Sequence, residues 1–399
     1  MMAPGAARQR SGSVPITRGV HRTFTVCDPA ALRRAGWIGW GVLPLLFSAC
    51  AKKLPADFAP DPGLVSRITD VRIDVPPTAC PGQTFRASYT AILDDGAEIP
   101  FATSYDKDNP PALHVVFLSR YSEQAAALGN GNWTAAPDPL LSALDGFRLR
   151  ALLRAKPTVS TEVVVAPEYG CLDHALEFVG RPGRDGAAGG PGPNVTVRMG
   201  LLSSPFVERL IVAEVTVEQA MPFYVLADAV IVPPSDWLLV AALGGRGSRG
   251  PDGSTGIAGV QGAPGCPGGP GGAGGAGLDG GPGGDGGSGG HVTVIAPQED
   301  PFLAGLVDAR TDGGPGGPGG RAGKGGPGGP GGAVQGDARR CSTGSRGPAG
   351  PDGRVGPEGR PGQPGPQPQV ITVPAASVFG ARPRQELQAL LTHHEGAQR

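Results

Sequence analysis

The chain returns to glycine at every third position in four separate runs. Gly180–Asn194 holds five such triplets, Gly244–His291 sixteen, Gly314–Val334 seven and Gly344–Gln367 eight. This period constrains the fold more than any other feature. It is neither the 3.6-residue period of a helix nor the two-residue period of a strand. It suits a left-handed polyproline-II chain, with three residues per turn and glycine along one face. A chain with 69 glycines and 44 prolines has few side chains for a core in these stretches. Ordering glycine backbone costs about 1–2 kcal/mol per residue, so hydrogen bonds and packed neighbours must offset it.

Composition inside the triplets separates two environments. Gly244–Pro267 carries real side chains, whereas seven of the eight triplets in Gly268–His291 are Gly-Gly-X. The run Gly314–Val334 is again mostly doubled glycine, and Gly344–Gln367 again carries side chains. The order is nearly a mirror about the segment HVTVIAPQEDPFLAGLVDAR. A strand in a collagen trimer needs glycine on one of its three faces, and a strand inside a bundle needs it on most of them. The pattern therefore predicts Gly-Gly-X arms inside and side-chain-bearing arms outside. Polyglycine-II bundle proteins resemble this arrangement, and the Gly-X-Y period is similar to that of bacterial collagen-like surface lipoproteins. The central segment reads as strand, turn, strand, which predicts a hairpin over 291–312 between arms of about 65–75 Å. Cys266 and Cys341 mark the junctions at the far ends, and folded-back arms predict a disulfide between them.

A short repeat supports one β module at the base of the arms. "NVTV" at 194–197 and "HVTV" at 291–294 both follow a triplet run and both precede a Pro-Phe; "VITV" follows the last triplets. A further hairpin region is expected over 194–243, with FYVLADAVIV and DWLLVAAL as apolar core. The whole glycine-rich module is placed at 180–374, and a short helix with Leu387, Leu390 and Leu391 on one side is expected in the tail 375–399.

The segment 64–179 is of a different kind. Phe85, Ala87, Tyr89 and Ala91 alternate with polar residues, as do Phe147, Leu149, Ala151 and Leu153, which predicts half-buried strands. Asp94–Gly96 is a turn signal. "ACPGQTFRASYTAILDDG" and "GFRLRALLRAKPTVSTEVVVAP" resemble bacterial Ig-like domains, implying a β-sandwich. His114 falls on the polar side of its strand and is expected at the surface. The fold class expected is thus all-β: an Ig-like sandwich, a small β module with glycine-triplet arms, and a short C-terminal helix.

The N-terminus reads as an address. Arg33 and Arg34 precede about 15 mostly apolar residues that end at Cys50, too short to span a membrane and suited to an export signal. Residues 46–50, LFSAC, resemble the bacterial lipobox, with Phe47 where leucine is usual. That resemblance implies a signal region over 1–49, lipidation at Cys50, a tether over 50–63 and an outer-membrane lipid anchor as the membrane partner. Export favours disulfides among Cys80, Cys171, Cys266 and Cys341, for which three pairings exist. A Cys80–Cys171 bridge would clamp the two ends of the sandwich.

Net charge of −1 implies no nucleic-acid partner. "GGRAGKG" at 319–325 lacks the Ser or Thr of a phosphate loop, and Asp279 and Asp285 are six apart, not at the nine-residue calcium repeat. His393 and His394 are expected at a mobile terminus. No catalytic constellation, metal site or cofactor site stands out, so an enzyme is not expected. The expectation is a structural or adhesive surface lipoprotein, able to self-associate or meet an extracellular ligand. The alternatives are an intermolecular collagen-type stalk and a module binding glycan, ice or calcium.

Overall fold

The computed structural model describes residues 54–55, 57–233, 235–336 and 339–397. The chain is all-β, with a β-rich N-terminal unit, a second β unit, and a bundle of glycine legs that grows out of the second unit.

The N-terminal unit contains β1 (Ile68–Asp74), β2 (Thr78–Ala79), β3 (Thr84–Phe85), β4 (Ser88–Leu93), β5 (Glu98–Pro100), β6 (Leu118–Tyr121), β7 (Ala125–Ala127), β8 (Trp133–Ala135), β9 (Phe147–Leu153) and β10 (Lys156–Pro167). They form sheets β1-β4-β5, β2-β10-β9-β6 and β3-β8-β7. The alternation read in the sequence is the alternation of burial. Phe85, Ala87, Tyr89 and Ala91 are buried, and so are Phe147, Leu149, Ala151 and Leu153. Trp133 is fully buried and donates its indole N–H to the Tyr89 hydroxyl at 2.7 Å, which in turn donates to Gly131 O. Gly96 turns β4 into β5 with φ at +83°, a conformation that favours glycine.

Two expectations in this region need correction. His114 is not at the surface: it is 5% exposed, and its Nδ1 accepts the Val116 N–H and caps the 3₁₀ turn Val115–Phe117. The capping bond satisfies Nδ1, and burial lowers the pKa of the ring. The segment expected as a tether, 50–63, is partly folded. Phe58 packs at 5.0 Å from Phe117 and 4.9 Å from Tyr105, and Asp61 caps the helix α1 (Pro62–Arg67).

The second unit is a stack of two sheets. It contains β11 (Ala175–Val179), β12 (Asn194–Leu202), β13 (Leu210–Val217), β14 (Phe223–Asp228), β15 (Leu238–Leu243), β16 (His291–Pro297), β17 (Val307–Arg310) and β18 (Gln369–Val373). One sheet, β11-β15-β17, is wholly parallel. The other, β14-β13-β12-β16-β18, carries the parallel trio β12-β16-β18 beside an antiparallel meander. Val195, Val197, Val240, Ala242, Val292 and Val294 fill the space between them. The sequence repeat is a register: Asn194 lies opposite His291, Val197 opposite Val294, and Val294 opposite Val370.

Strand β11 belongs here and not to the sandwich expected over 64–179. The 291–312 segment is not a hairpin. β16 and β17 lie in opposite sheets, joined by the 3₁₀ turn Pro301–Leu306 that carries the chain across the core. In 194–243 likewise, β12, β13 and β14 form a meander, but β15 crosses to the other sheet. The helix α2 (Gln385–Ala397) buries Leu387 and Leu390 against Leu210, Tyr224 and Leu226 of the second unit and Leu140 and Tyr169 of the first. Arg384 clamps this junction through Asp138 and Glu386. His393 and His394 are therefore not free ends; both ring Nδ1 atoms reach Ser203.

Candidate functional site

The strands of the second unit continue directly into the glycine triplets, which makes the bundle the most distinctive surface of the molecule. Six legs can be followed. Leg 1 (180–183) leaves β11, turns at Asp185 and Gly186, and returns as leg 2 (187–193) into β12. Leg 3 (244–265) leaves β15, and leg 4 (268–290) returns into β16. Leg 5 (313–334) leaves β17, and leg 6 (344–366) returns into β18. Each circuit thus adds one strand to each sheet and one leg to each of two layers. The parallel order of the sheets passes into the legs: 1, 3 and 5 form the outbound layer, and 2, 4 and 6 the return layer.

Every third amide is a rung. Leg 3 donates from Gly244, Gly247 and onward to Gly265 into the carbonyls of leg 5, from Asp312 to Ala333. Leg 4 donates from its first glycines to leg 6, and from its second glycines to leg 3, as in Gly275 N–H to Ile257 O at 2.8 Å. Leg 5 donates to leg 4, as in Gly326 N–H to Gly275 O at 2.8 Å, and leg 6 donates to leg 5. Legs 4 and 5 therefore touch three long legs each, whereas 3 and 6 touch two. Legs 4 and 5 are the Gly-Gly-X tracts. In leg 5 both glycines of each pair meet neighbouring backbone, and in leg 4 the first glycine does throughout and the second does near the base.

The missing side chains can be assigned one neighbour at a time. A Cβ built on Gly326 would lie 1.9 Å from Ile257 O, and one on Gly325 would lie 1.8 Å from Gly350 O. Both glycines of that pair are thus fixed by backbone on opposite sides. The second glycines of leg 4 divide by position. Near the base, Gly284 and Gly287 face the carbonyls of leg 2. Beyond the reach of leg 2 that row opens, and Leu278 stands in it with its side chain 62% exposed. Ala322 occupies a place equivalent to Gly319 and Gly325, and nothing in the structure explains it.

Four aspartates serve as further pegs. Asp252, Asp279, Asp285 and Asp352 each accept a backbone N–H from an adjacent leg at 2.6–2.7 Å: Arg321, Arg354, Arg360 and Gly325 respectively. The Gly325 N–H, together with Lys324, holds the Asp352 carboxyl below its ordinary pKa. Each of these residues is the last of its triplet, a positional signal carried by the sequence itself. Asp279 and Asp285, six residues apart, are thereby engaged with backbone.

Cys266 and Cys341 are joined, with Cα atoms 5.1 Å apart, so one bridge ties the reversal between legs 3 and 4 to that between legs 5 and 6. It sits at the end of the bundle far from the sheets. Cys80 and Cys171 are joined at 6.4 Å, next to the parallel pairing of β2 with the end of β10. Cys50 lies outside the described residues. Among the described residues there is no cluster of three metal-ligating side chains, and no helix is long and apolar enough to cross a membrane. No protein-family model, characterised protein or solved structure matches this chain.

Proposed function

We propose that this protein is a non-enzymatic cell-surface lipoprotein whose glycine bundle is a rigid structural or adhesive projection. The observation that carries the reading is the single-chain ladder. The legs exchange their amide hydrogen bonds within one chain, and a disulfide ties the far end. A leg of 22 residues at about 3.1 Å per residue reaches roughly 68 Å from the sheets. Such a rod has a large polar surface and little interior in which to enclose a small substrate. Intramolecular pairing favours this folded-back form over a stalk made by three chains. Anchoring rests on the lipobox-like sequence before Cys50; two acyl chains, at about 0.8 kcal/mol per buried CH₂, give stable membrane attachment.

The test is fractionation and surface labelling of cells that express the full chain or its Cys50→Ala variant. The wild-type chain is expected in the membrane fraction and open to a non-permeant label, with the variant released. Equal fractionation of the two would remove the lipid anchor, and protection of the wild type from the label would remove surface display.

A further inference from the structure

The bundle grows by addition of circuits, and its last circuit leaves the next position unfilled. Within the outbound layer, leg 1 donates from Gly180 and Gly183 to Leu243 O and Arg246 O at the start of leg 3. Leg 3 then donates from Gly244 and its successors to leg 5. The equivalent row of leg 5 is Gly313, Gly316, Gly319 and Ala322, each placed like Gly244 relative to the strand before it. None of these N–H groups has an acceptor among the described residues.

The return layer shows the complementary row. Leg 3 donates from Gly245 and Ser248 to Gly190 O and Ala187 O of leg 2, and leg 5 donates to Gly287 O and Gly284 O of leg 4. The equivalent carbonyls of leg 6 are those of Gly362, Gly359 and Gly356. They receive no hydrogen bond from the described residues. Toward the tip the groove is blunted, because Asp352 takes the Gly325 N–H and Arg346 Nε donates to Gly328 O. The open part runs from Gly313 to Ala322, beside the free edges of β17 and β18. Val370 on β18 is 58% exposed.

We propose that this groove between legs 5 and 6 is a docking seat for one glycine-triplet strand of another polypeptide, running parallel to leg 5. The two filled positions specify the strand. Its acceptor carbonyls must recur every third residue, at about 9 Å, to meet the donors of leg 5. The residue before each acceptor must be glycine. A Cβ on Gly245 would lie 2.1 Å from Arg181 O, and one on Gly317 would lie 1.9 Å from Ser248 O. That glycine also supplies the N–H for the carbonyls of leg 6, as Gly314 and Gly317 do for leg 4. Polyproline has the right helix but neither the space nor the donor. A second folded copy does not supply the strand: its legs are hydrogen-bonded in its own bundle, and β11 with legs 1 and 2 covers the base of the end that would meet the seat. The proposal deepens the adhesive reading and rests on it by naming the ligand class.

The experiment uses the purified full chain with selectively ¹⁵N-labelled glycine, titrated with the single-chain peptide (Gly-Pro-Ala)₄ and with decaproline. The triplet peptide is expected to shift Gly313, Gly316 and Gly319 while sparing Gly314, Gly317 and Gly320, and decaproline to shift neither set. Ala322→Pro suits the polyproline-II backbone, removes one unpaired donor and places a ring in the seat. It is expected to keep the amide spectrum of the bundle and to weaken peptide binding about tenfold or more, the equivalent of losing one well-made hydrogen bond. Absence of binding, equal binding of decaproline, or unchanged affinity in Ala322→Pro would overturn the seat. So would self-association of the chain that Ala322→Pro abolishes, which would give the groove to a second copy. These readouts do not depend on the Cys50 fractionation, so the two readings fail separately.

Discussion

Gly269 and Gly271 lie two residues apart on leg 4 and answer to different neighbours. A Cβ on Gly271 would sit 2.0 Å from Gly329 O and 2.6 Å from Gly329 C. Because real Cβ atoms essentially never come within 3.0 Å, legs 4 and 5 would have to part by 3.0 − 2.0 = 1.0 Å. The hydrogen bonds Gly271 N–H to Ser345 O, Gly329 N–H to Gly272 O and Gly347 N–H to Gly329 O are each 2.9 Å long. An added ångström takes two or three of them outside bonding range, at about 1 kcal/mol each and more where a donor is left buried. Alanine restricts the unfolded chain and returns about 0.4–1 kcal/mol. Gly271→Ala is therefore expected to cost about 2–4 kcal/mol. A Cβ on Gly269 would meet nothing closer than 3.3 Å, and Leu278 already stands in the same row. Gly269→Ala is expected within about 1 kcal/mol of wild type. Guanidinium unfolding, with glycine amide exchange at Gly329 and Gly347, measures both. Equal costs for the two variants, or a neutral Gly271→Ala, would refute neighbour-by-neighbour assignment of the glycines.

The pegs, the staple and two histidines, His114 and His174, make further predictions. Asp285→Ala removes the acceptor for the Arg360 N–H and should lower stability by about 1 kcal/mol, with faster amide exchange on leg 6 and none on leg 1. The double variant Cys266→Ser, Cys341→Ser opens a loop with a sequence separation of 75 and should cost about 4 kcal/mol, with exchange rising first at the far end of the legs. Burial lowers the pKa of His114 and of His174, so the unfolded chain binds more protons than the folded one below the ordinary histidine value of 6.5. Stability should be complete above about pH 7 and fall as pH drops below the ordinary histidine value of 6.5; His114→Gln should flatten that slope in thermal melts at pH 7.5 and 5.

Much of this architecture was written in the sequence, because its physics is local. Alternation at Phe85–Ala91 and Phe147–Leu153 reports one wet face and one dry face. Doubled glycine in 314–332, and near the base of 268–291, reports how many backbones crowd a leg. Cys266 and Cys341 report where two reversals meet. What was not legible depends on which layer a strand joins. "LVDAR" has the same composition whether β17 pairs with β16 or crosses to β15, and the 3₁₀ turn over 301–306 decides it. The alternating burial of "ALEFV" likewise says strand without saying which sheet. His114 follows a polar pattern but caps a turn from within the core, because one ring nitrogen can satisfy a backbone donor there. The fold of Gly180–Asn194 into two short legs turns on Asp185 and Gly186, both at positive φ, within a run that otherwise reads as continuous triplets. The aspartate pegs were visible as a rule of position, last in each triplet, once carboxylates are considered as acceptors for neighbouring legs.

The central claim is that the glycine runs fold back on their own chain. A peptide map of the non-reduced, gel-filtered monomer tests it most directly. The account predicts that Cys266 and Cys341 are recovered in one cross-linked peptide pair, and Cys80 with Cys171 in another. Free thiols at Cys266 and Cys341, a bridge between chains, or exchange of partners with Cys80 or Cys171 would contradict it.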